Sequence, residues 1–293
     1  MPLRALLGPL LREVGTVVAP GAGDPLAAKV IENAGHRAVY LGGNAMALGL
    51  AKGQPFLTLT ETVAIVSRVV RAVDVPVFVD IGAGFGSASH LDLAVRDIEA
   101  AGAGGLHLDD QPYPKSPAYH RGKGEVVAQA EMARRVTTAV AARNDPDFAI
   151  VARTDTWRVT GDQAETIARC NALADAGADG IMVLDLAPAT LIDWRDELPD
   201  VPMVWIGGVA PPVPTVDALN RAGFAMACYP FSGVACMLDV LQQLWSTLKE
   251  DGHIEIAAET LNRAKSVMLE VSDMARLWAL EDTSLNEEDD AAT

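Results

Sequence analysis

Eight short aliphatic or β-branched runs recur along this 293-residue chain, and they constrain its fold more than any other feature. Each is four to six residues long, which suits a buried strand better than a helix. The runs occupy residues 16–19, 38–41, 75–79, 105–108, 148–152, 180–184, 201–206 and 224–228. Segments with helical periodicity lie between them, and this alternation predicts an α/β fold with a parallel sheet.

The helical segments carry their own start and stop signals. Thr58 and Glu61 form a candidate capping box ahead of a valine-rich helical face. Glycine just past a helix accepts the left-handed backbone that closes it, and four segments end in an Ala-Gly pair directly ahead of a strand. The pairs are Ala34-Gly35, Ala101-Gly102, Ala176-Gly177 and Ala222-Gly223.

Eight such units close naturally into a (β/α)8 TIM-type barrel, with an open doubly wound sheet as the alternative. After the eighth run, residues 233–249 and 254–280 predict further helices, which suit packing against a neighbouring subunit. We therefore expect a barrel over residues 1–250, a C-terminal helical extension over 251–280, and an acidic disordered tail over 281–293.

Composition excludes several classes of function. The net charge of −16 argues against a nucleic-acid partner, because neutralising phosphates requires clustered Lys and Arg. No apolar run reaches the length of a membrane span, and the N-terminus has no convincing signal-cleavage site. We expect a cytoplasmic protein with no membrane partner.

Polar side chains follow the predicted strands. Asp109-Asp110-Gln111 comes directly after the fourth run, with Lys115 close behind. Taken alone, this stretch is either a solvated turn with a helix-capping aspartate or part of a site. Asp80, Arg153 and Asp185 follow other runs, and barrels of this kind place their active sites at the C-terminal ends of the strands. The pattern favours a site for a small anionic ligand.

Glycines at two strand exits have competing interpretations. Gly42-Gly43 is either a tight turn or a nest of backbone N–H groups for an anion. Gly84-Phe85-Gly86 lacks the remainder of a dinucleotide fingerprint, so we expect no nucleotide cofactor.

Three side chains also have two interpretations each. Arg153 either pairs structurally with Asp155 or grips a ligand carboxylate with its planar fork. We interpret His107, between two leucines, as a satisfied barrel histidine rather than a ligand. Tyr119 lies in a loop that is either simply solvated or a lid.

Several motifs occur in a fixed order over residues 15–250. They are Gly21-Ala22-Gly23-Asp24-Pro25-Leu26-Ala27-Ala28, Tyr40-Leu41-Gly42-Gly43, Val79-Asp80 with Gly84-Phe85-Gly86, Asp109-Asp110-Gln111 with Pro114-Lys115, and Ala152-Arg153-Thr154-Asp155. In order and spacing they resemble the isocitrate lyase and phosphoenolpyruvate mutase superfamily. The resemblance implies a (β/α)8 barrel, usually a homotetramer whose C-terminal helices are exchanged between subunits; we expect a tetramer or a dimer.

The same resemblance implies Mg2+ and a small α-keto or α-hydroxy carboxylate, with C–C or C–P bonds made or broken through an enolate. Asp80 would bind the metal directly and Asp109 would hold a metal-bound water. The catalytic residues implied or inferred are Arg153, Lys115, which begins the gating loop, and Tyr119. The implied substrate-binding residues are Tyr40, Gly42, Gly43, Asp80 and Arg153.

This sequence departs from the superfamily pattern at the chemically active positions. Gly82 replaces the second metal-site aspartate, and no acidic residue stands near Gly53-Gln54. The Lys-Lys-Cys-Gly-His loop of the lyases becomes Lys115-Ser116-Pro117-Ala118-Tyr119. Leu184 and Ile206 stand where many members have a glutamate and an asparagine. The missing carboxylates weaken a cation site, and without the loop cysteine Tyr119 becomes the candidate proton donor.

We therefore expect a divergent C–C lyase or decarboxylase, similar to methylisocitrate lyases or oxaloacetate decarboxylases, acting on a small α-hydroxy or α-keto di- or tricarboxylate. Phosphoenolpyruvate mutase or phosphonopyruvate-type C–P chemistry is one alternative. A barrel that binds a ligand without catalysis is the other.

Overall fold

A computed structural model describes residues 6–122 and 124–291, and its centre is a closed barrel of eight parallel strands. The strands pair in chain order, and β8 pairs with β1 to close the ring. They are β1 (Val17–Ala22), β2 (Val39–Leu41), β3 (Val77–Asp80), β4 (Gly105–Asp109), β5 (Ala149–Thr154), β6 (Gly180–Val183), β7 (Met203–Ile206) and β8 (Phe224–Tyr229). The predicted barrel is confirmed, and the alternative open sheet is excluded.

Five of the strands, β1, β3, β4, β5 and β8, extend further toward their C-terminal ends than the aliphatic runs indicate. Asp80, which follows the third run, is still paired with His107 in the neighbouring strand. Asp109 is paired with Arg153 in the same way. These charged side chains therefore stand on the rigid sheet rather than on loops.

Thirteen α-helices flank or follow the strands in the described part of the chain. Those of the barrel are α1 (Leu7–Leu11), α2 (Pro25–Asn33), α3 (Gly43–Gly49), α4 (Leu59–Val70), α5 (Ala88–Ala100), α6 (Gln129–Ala142), α7 (Thr156–Thr160), α8 (Gln163–Asp175), α9 (Pro188–Trp194) and α10 (Val216–Ala222). The predicted capping box of Thr58 and Glu61 is present at the start of α4. All four glycines of the Ala-Gly pairs have positive φ, as the C-terminal signals require.

Two apolar clusters hold the barrel together. The interior cluster contains Tyr40, Phe78 and Val204, and the short helix α1 closes its lower end with Leu7 and Leu11. The second cluster packs the outer faces of the strands against the helices. Since both strand faces are buried, the near-continuous apolar runs of the sequence are explained.

The chain after the barrel forms three helices: α11 (Ser232–Asp251), α12 (Ala258–Val271) and α13 (Met274–Ala291). The two compact units of the chain divide between Cys236 and Met237, within α11 rather than at residue 250. The predicted helix over 254–280 is interrupted at Asp273, whose φ is +53°.

Helix α13 continues to Ala291. The expected disorder of the acidic tail over residues 281–293 stays a prediction. Glu, Leu and Ala are good helix formers, and high charge alone does not prevent a helix. Ala292 and Thr293 lie outside the described residues. Within the described ranges, no helix combines the length and apolarity needed to cross a bilayer.

Replacing Thr58 with Ala removes the hydroxyl that accepts the Glu61 backbone N–H. We expect the free energy of unfolding to fall by about 1 kcal/mol, measured by chemical denaturation. Thr60→Ala, at an exposed position in the same helix, is the matched control and should be neutral or slightly stabilising. Equal losses in the two variants would contradict the capping assignment.

Candidate active site

The C-terminal ends of the strands surround a cavity of about 290 Å3. Its lining includes six of the eight side chains or glycines predicted for the site. These are Tyr40, Gly42, Gly43, Asp80, Tyr119 and Arg153. The other two, Asp109 and Lys115, are bonded to each other beside it. Residues that are more than 100 positions apart in sequence are thus brought to one place.

Asp80 stands at the end of β3 and is surrounded by N–H donors. Its Oδ2 accepts the Gly43 backbone N–H at 3.1 Å and the Gln54 side-chain amide at 3.2 Å. Its Oδ1 accepts the Gly82 backbone N–H at 2.8 Å. Burial raises the pKa of Asp80, but the nearby His107, Lys115 and Arg153 and the Gly82 N–H outweigh it and lower that pKa to about 2.

The Gly42-Gly43 pair is both a turn and an anion cradle, which unites its two interpretations. Gly42 is the N-cap of α3 and Gly43 is the first residue of that helix. The anion that the Gly43 N–H holds is the carboxylate of Asp80. A side chain on Gly43 would collide with Gln54 at 2.6 Å, so glycine is required there by close approach.

Arg153 lies at the centre of a buried network at the end of β5. Its Nε donates to Asp155 Oδ1 at 2.8 Å, and one terminal nitrogen donates to Asp155 Oδ2 at 3.2 Å. That nitrogen also donates to the Tyr119 hydroxyl at 2.9 Å. Gln111 holds Asp155 from the other side at 2.6 Å. Burial raises the pKa of Asp155, yet Arg153 and Gln111 lower it overall, so this carboxylate remains ionised.

The structural ion pair and the ligand-binding fork are therefore compatible interpretations of Arg153. Asp155 orients the guanidinium through two of its nitrogens. The other terminal nitrogen makes no hydrogen bond to the described residues, and the side chain lines the cavity. A ligand carboxylate can be reached without breaking the Asp155 pair.

Asp110 fixes the neighbouring backbone rather than facing the cavity. Its Oδ1 accepts the Asp155 backbone N–H at 2.9 Å, and its Oδ2 accepts the Thr154 hydroxyl at 2.6 Å. Arg169 of α8 donates to Oδ2 at 3.2 Å. Burial raises the pKa of Asp110 to about 6, despite the opposing hydrogen bonds and the Arg169 charge.

Tyr119 lies in a 3-10 helix, Pro117–Arg121, that follows Lys115. Its ring lies between two cations, with Lys115 Nζ 5.1 Å from the ring centroid and Arg158 5.6 Å from it. Burial raises the pKa of the Tyr119 phenol above its usual value, so the phenol is protonated at neutral pH. The ring and hydroxyl contacts fit a lid better than a solvated loop.

Tyr40 and His107 form a pair inside the barrel below the cavity. The Tyr40 hydroxyl lies 2.8 Å from His107 Nε2, and the two rings are stacked. Burial lowers the pKa of His107, although the neighbouring Asp80 opposes this shift. Its Nδ1 is buried without a partner among the described residues, so the prediction of a fully satisfied histidine is wrong for one of its two nitrogens.

The residues at Asp80 and Asp109 are a poor fit to a divalent cation. Asp80 has about four acceptor positions, and three already receive N–H groups. Asp109 accepts the Gln111 N–H and the Lys115 ammonium, the latter at 3.2 Å. The described residues contain no group of three or more His, Cys, Asp or Glu side chains suited to a metal. No catalytic step is therefore derived from Mg2+.

Sequence reasoning misses three features that shape the cavity. At Gln54 the sequence indicates only that an acid is absent, yet the Gln54 amide bonds Asp80. Arg158, in α7, lines the cavity and lies 3.5 Å from Asp185. Gln111 is recognisable as polar, but not as the partner of Asp155. The signal available for Arg158 is its position five residues after Arg153 at the same strand exit.

Comparisons with known proteins agree on one family. Residues 7–248 match the family model described as phosphoenolpyruvate phosphomutase. The probable 2-methylisocitrate lyase 1 of Corynebacterium glutamicum is 37% identical over 239 residues, which are 80% of this chain and 77% of that protein. The 2,3-dimethylmalate lyase of Eubacterium barkeri is 35% identical over 257 residues, covering 86% and 88%. A phosphonopyruvate hydrolase crystallised with oxalate and Mg2+ has a TM-score of 0.84 at 25% identity, covering 95% and 98%.

Asp110 makes stability depend on pH in a defined window. Its pKa rises from 3.8 to about 6 on folding, so between these values the folded state holds a proton that the unfolded chain has lost. The contribution of Asp110 to the free energy of unfolding is complete below about pH 4 and is lost as the pH rises through 6. The free energy of unfolding changes by about 3 kcal/mol over this window. Asp110→Asn removes this dependence, so its stability relative to the native chain should improve from pH 4.5 to 7.5.

Urea unfolding of both proteins at the two pH values provides the measurement. Asp196→Asn, at an exposed position, is the control and should show the same difference from the native chain at both. If Asp110→Asn behaves like this control, the raised pKa assignment is wrong.

Proposed function

This chain belongs to the phosphoenolpyruvate phosphomutase family, and from that membership we propose that it cleaves a carbon–carbon bond in a small 2-hydroxy or 2-keto di- or tricarboxylate. Its lyase relatives identify it as an enzyme of the lyase class. The observation that carries the substrate class is the convergence of Arg153 and a glycine turn on one cavity of about 290 Å3, with Lys115 bonded to Asp109 beside it. A cavity of this size is in the lower range of small-molecule sites.

Arg153 would hold a substrate carboxylate with the terminal nitrogen that Asp155 leaves available. A guanidinium held by one carboxylate keeps its plane and its orientation, so a second carboxylate meets a pre-formed donor. The end of β2 and the start of α3 would contact the same ligand through Tyr40, Gly42 and Gly43. Asp80 would keep that turn in place through the Gly43 N–H.

Tyr119 would supply the proton that the missing loop cysteine cannot. As the carbon–carbon bond of a 2-hydroxy substrate breaks, its hydroxyl group gives its proton to water and becomes the carbonyl of one product. The electron pair of the broken bond passes to the carbon that becomes the enolate, and a donor must then protonate that carbon. The Tyr119 phenol carries a proton at neutral pH, because burial raises its pKa. The Arg153 N–H at 2.9 Å would stabilise the phenolate left behind. Lys115, whose Nζ lies 5.1 Å from the ring centroid, would also stabilise the developing negative charge.

We also propose a homo-oligomer, tetramer or dimer. Helices α11 to α13 expose many large apolar side chains, including Leu238, Trp245, Met268 and Trp278. Faces of this kind are typical of interfaces, and packing against another copy would cover them. The cytoplasmic location, and the absence of membrane and nucleic-acid partners, stay predictions from composition.

A substrate panel tests the proposed reaction. The purified chain is incubated with 2-hydroxy and 2-keto di- and tricarboxylates and with phosphonopyruvate, and products are followed by proton and phosphorus NMR. We expect release of a 2-keto acid such as pyruvate or glyoxylate from at least one carboxylate. Arg153→Lys, which keeps the charge but loses the fork, should lower kcat/KM at least 100-fold.

The panel also separates the alternatives. If phosphonopyruvate is the only compound that reacts, with transfer or release of its phosphorus group, the proposed C–C cleavage is replaced by C–P chemistry. Saturable binding with no turnover of any compound would indicate a binding barrel. Activity that survives Arg153→Lys unchanged would come from elsewhere and would refute the site.

Tyr119→Phe removes the proposed proton donor while keeping the ring between its two cations. We expect kcat to fall by about 100-fold or more with KM changed only a few-fold, since a positioned acid contributes on that order. Tyr113→Phe, at an exposed position in the same connection, is the control. Full turnover by Tyr119→Phe would exclude the phenol as the donor.

A further inference from the structure

The carboxylates at the mouth of the barrel already have cationic partners from the chain, with one exception. The three pairs are Asp109 with Lys115, Asp155 with Arg153 and Asp185 with Arg158, with N–O distances of 3.2, 2.8 and 3.5 Å. Asp80 is the exception among the described residues. Its one contact with a basic side chain at ion-pair distance is with His107, at 3.8 Å. A dication entering this site would find one uncommitted negative charge.

That charge is only partly open to a metal. Three N–H groups from Gly43, Gln54 and Gly82 occupy most of the acceptor positions of Asp80. A hard cation bound at the remaining position would find too few further oxygen ligands among these residues. Gln54 is a neutral amide where the superfamily pattern has an acid, and it donates an N–H to Asp80 instead of offering a carboxylate.

The ammonium of Lys115 lies at this site. Its side chain is only 8% exposed, and Nζ bonds Asp109 Oδ2. Lys115 and Asp80 also line the same small cavity. The ammonium is therefore close to both carboxylates that the superfamily pattern assigns to the metal.

We infer that this chain binds its carboxylate ligand without a divalent cation, with the Lys115 ammonium as the cation of the site. Gln54 and Gly82 are the two positions at which the carboxylates needed for a dication are missing. This inference rests on the proposed carboxylate site. It adds that affinity for the ligand is independent of Mg2+ and dependent on Lys115.

Calorimetric titration of the full chain with oxalate, a minimal dicarboxylate, tests both statements. The titration is run in excess Mg2+ and again after chelation with EDTA. We expect the two dissociation constants to agree within threefold, and Lys115→Met to weaken binding at least tenfold in both conditions. Lys115→Arg, which keeps a positive charge, should recover most of the loss.

A larger than threefold loss on chelation would overturn the inference, and so would a Lys115→Met variant that binds like the native chain. Failure of the proposed function gives a different result: oxalate then fails to bind in either condition, and the carboxylate site falls together with the inference.

A double variant tests the two positions directly. Gln54→Asp with Gly82→Asp restores the missing carboxylates. A Cβ at Gly82 meets no atom within 4 Å, and aspartate is among the residues that tolerate the φ of +54° found there. In the presence of oxalate, the double variant should bind Mn2+ at least tenfold more tightly than the native chain, measured by electron paramagnetic resonance. Equal Mn2+ affinities would show that these positions do not control the metal, and would refute the assignment.

Discussion

The arrangement of the site depends on one buried carboxylate, Asp110, that never reaches the cavity. It lies at the exit of β4, yet it binds the backbone N–H of Asp155 and the hydroxyl of Thr154 at the exit of β5. Arg169 of α8 supplies the opposite charge. A buried charge is tolerated only when it is paired and hydrogen-bonded, so three elements must keep their relative positions for Asp110 to be accommodated. That requirement fixes the turn that carries Asp155.

The fixed turn then orients everything that would hold the ligand. Asp155 holds Arg153 through two nitrogens, and Gln111, the neighbour of Asp110, holds Asp155. Arg153 in turn positions the Tyr119 hydroxyl at 2.9 Å. Each step uses a charge-assisted hydrogen bond between largely buried groups, which is shorter and stronger than a neutral one. Pre-organisation of this kind lowers the entropy lost on binding a small anion.

The barrel could be predicted from the sequence because its signals are local and redundant. Eight apolar runs, the Ala-Gly pairs and the capping box at Thr58 each report on one neighbourhood, and all agree with one architecture. Asp80, Lys115 and Arg153 could be found because a barrel carries chemistry at its strand exits. Family motifs added the glycine turn and Tyr40.

What could not be predicted depends on distant contacts. Gln54 reaches Asp80 past Gly43, where a side chain would collide with it, and Arg158 meets Asp185 at the exit of the next strand. The sequence also could not predict that His107 Nδ1 lacks a hydrogen-bond partner among the described residues. A histidine can be assigned to a barrel strand without knowing which polar groups the neighbouring strand places beside it.

The position of Tyr119 has a consequence for how a ligand binds. The phenol occupies one terminal nitrogen of Arg153, and its ring lies near Lys115 and Arg158. Lys115 itself is committed to Asp109. A carboxylate on the other terminal nitrogen of Arg153 would leave the Tyr119 hydroxyl in place. The cations that hold Tyr119 are the same cations that would hold the ligand, so a negatively charged ligand would share them with the phenol rather than displace it, and the proposed proton donor would stay beside the ligand.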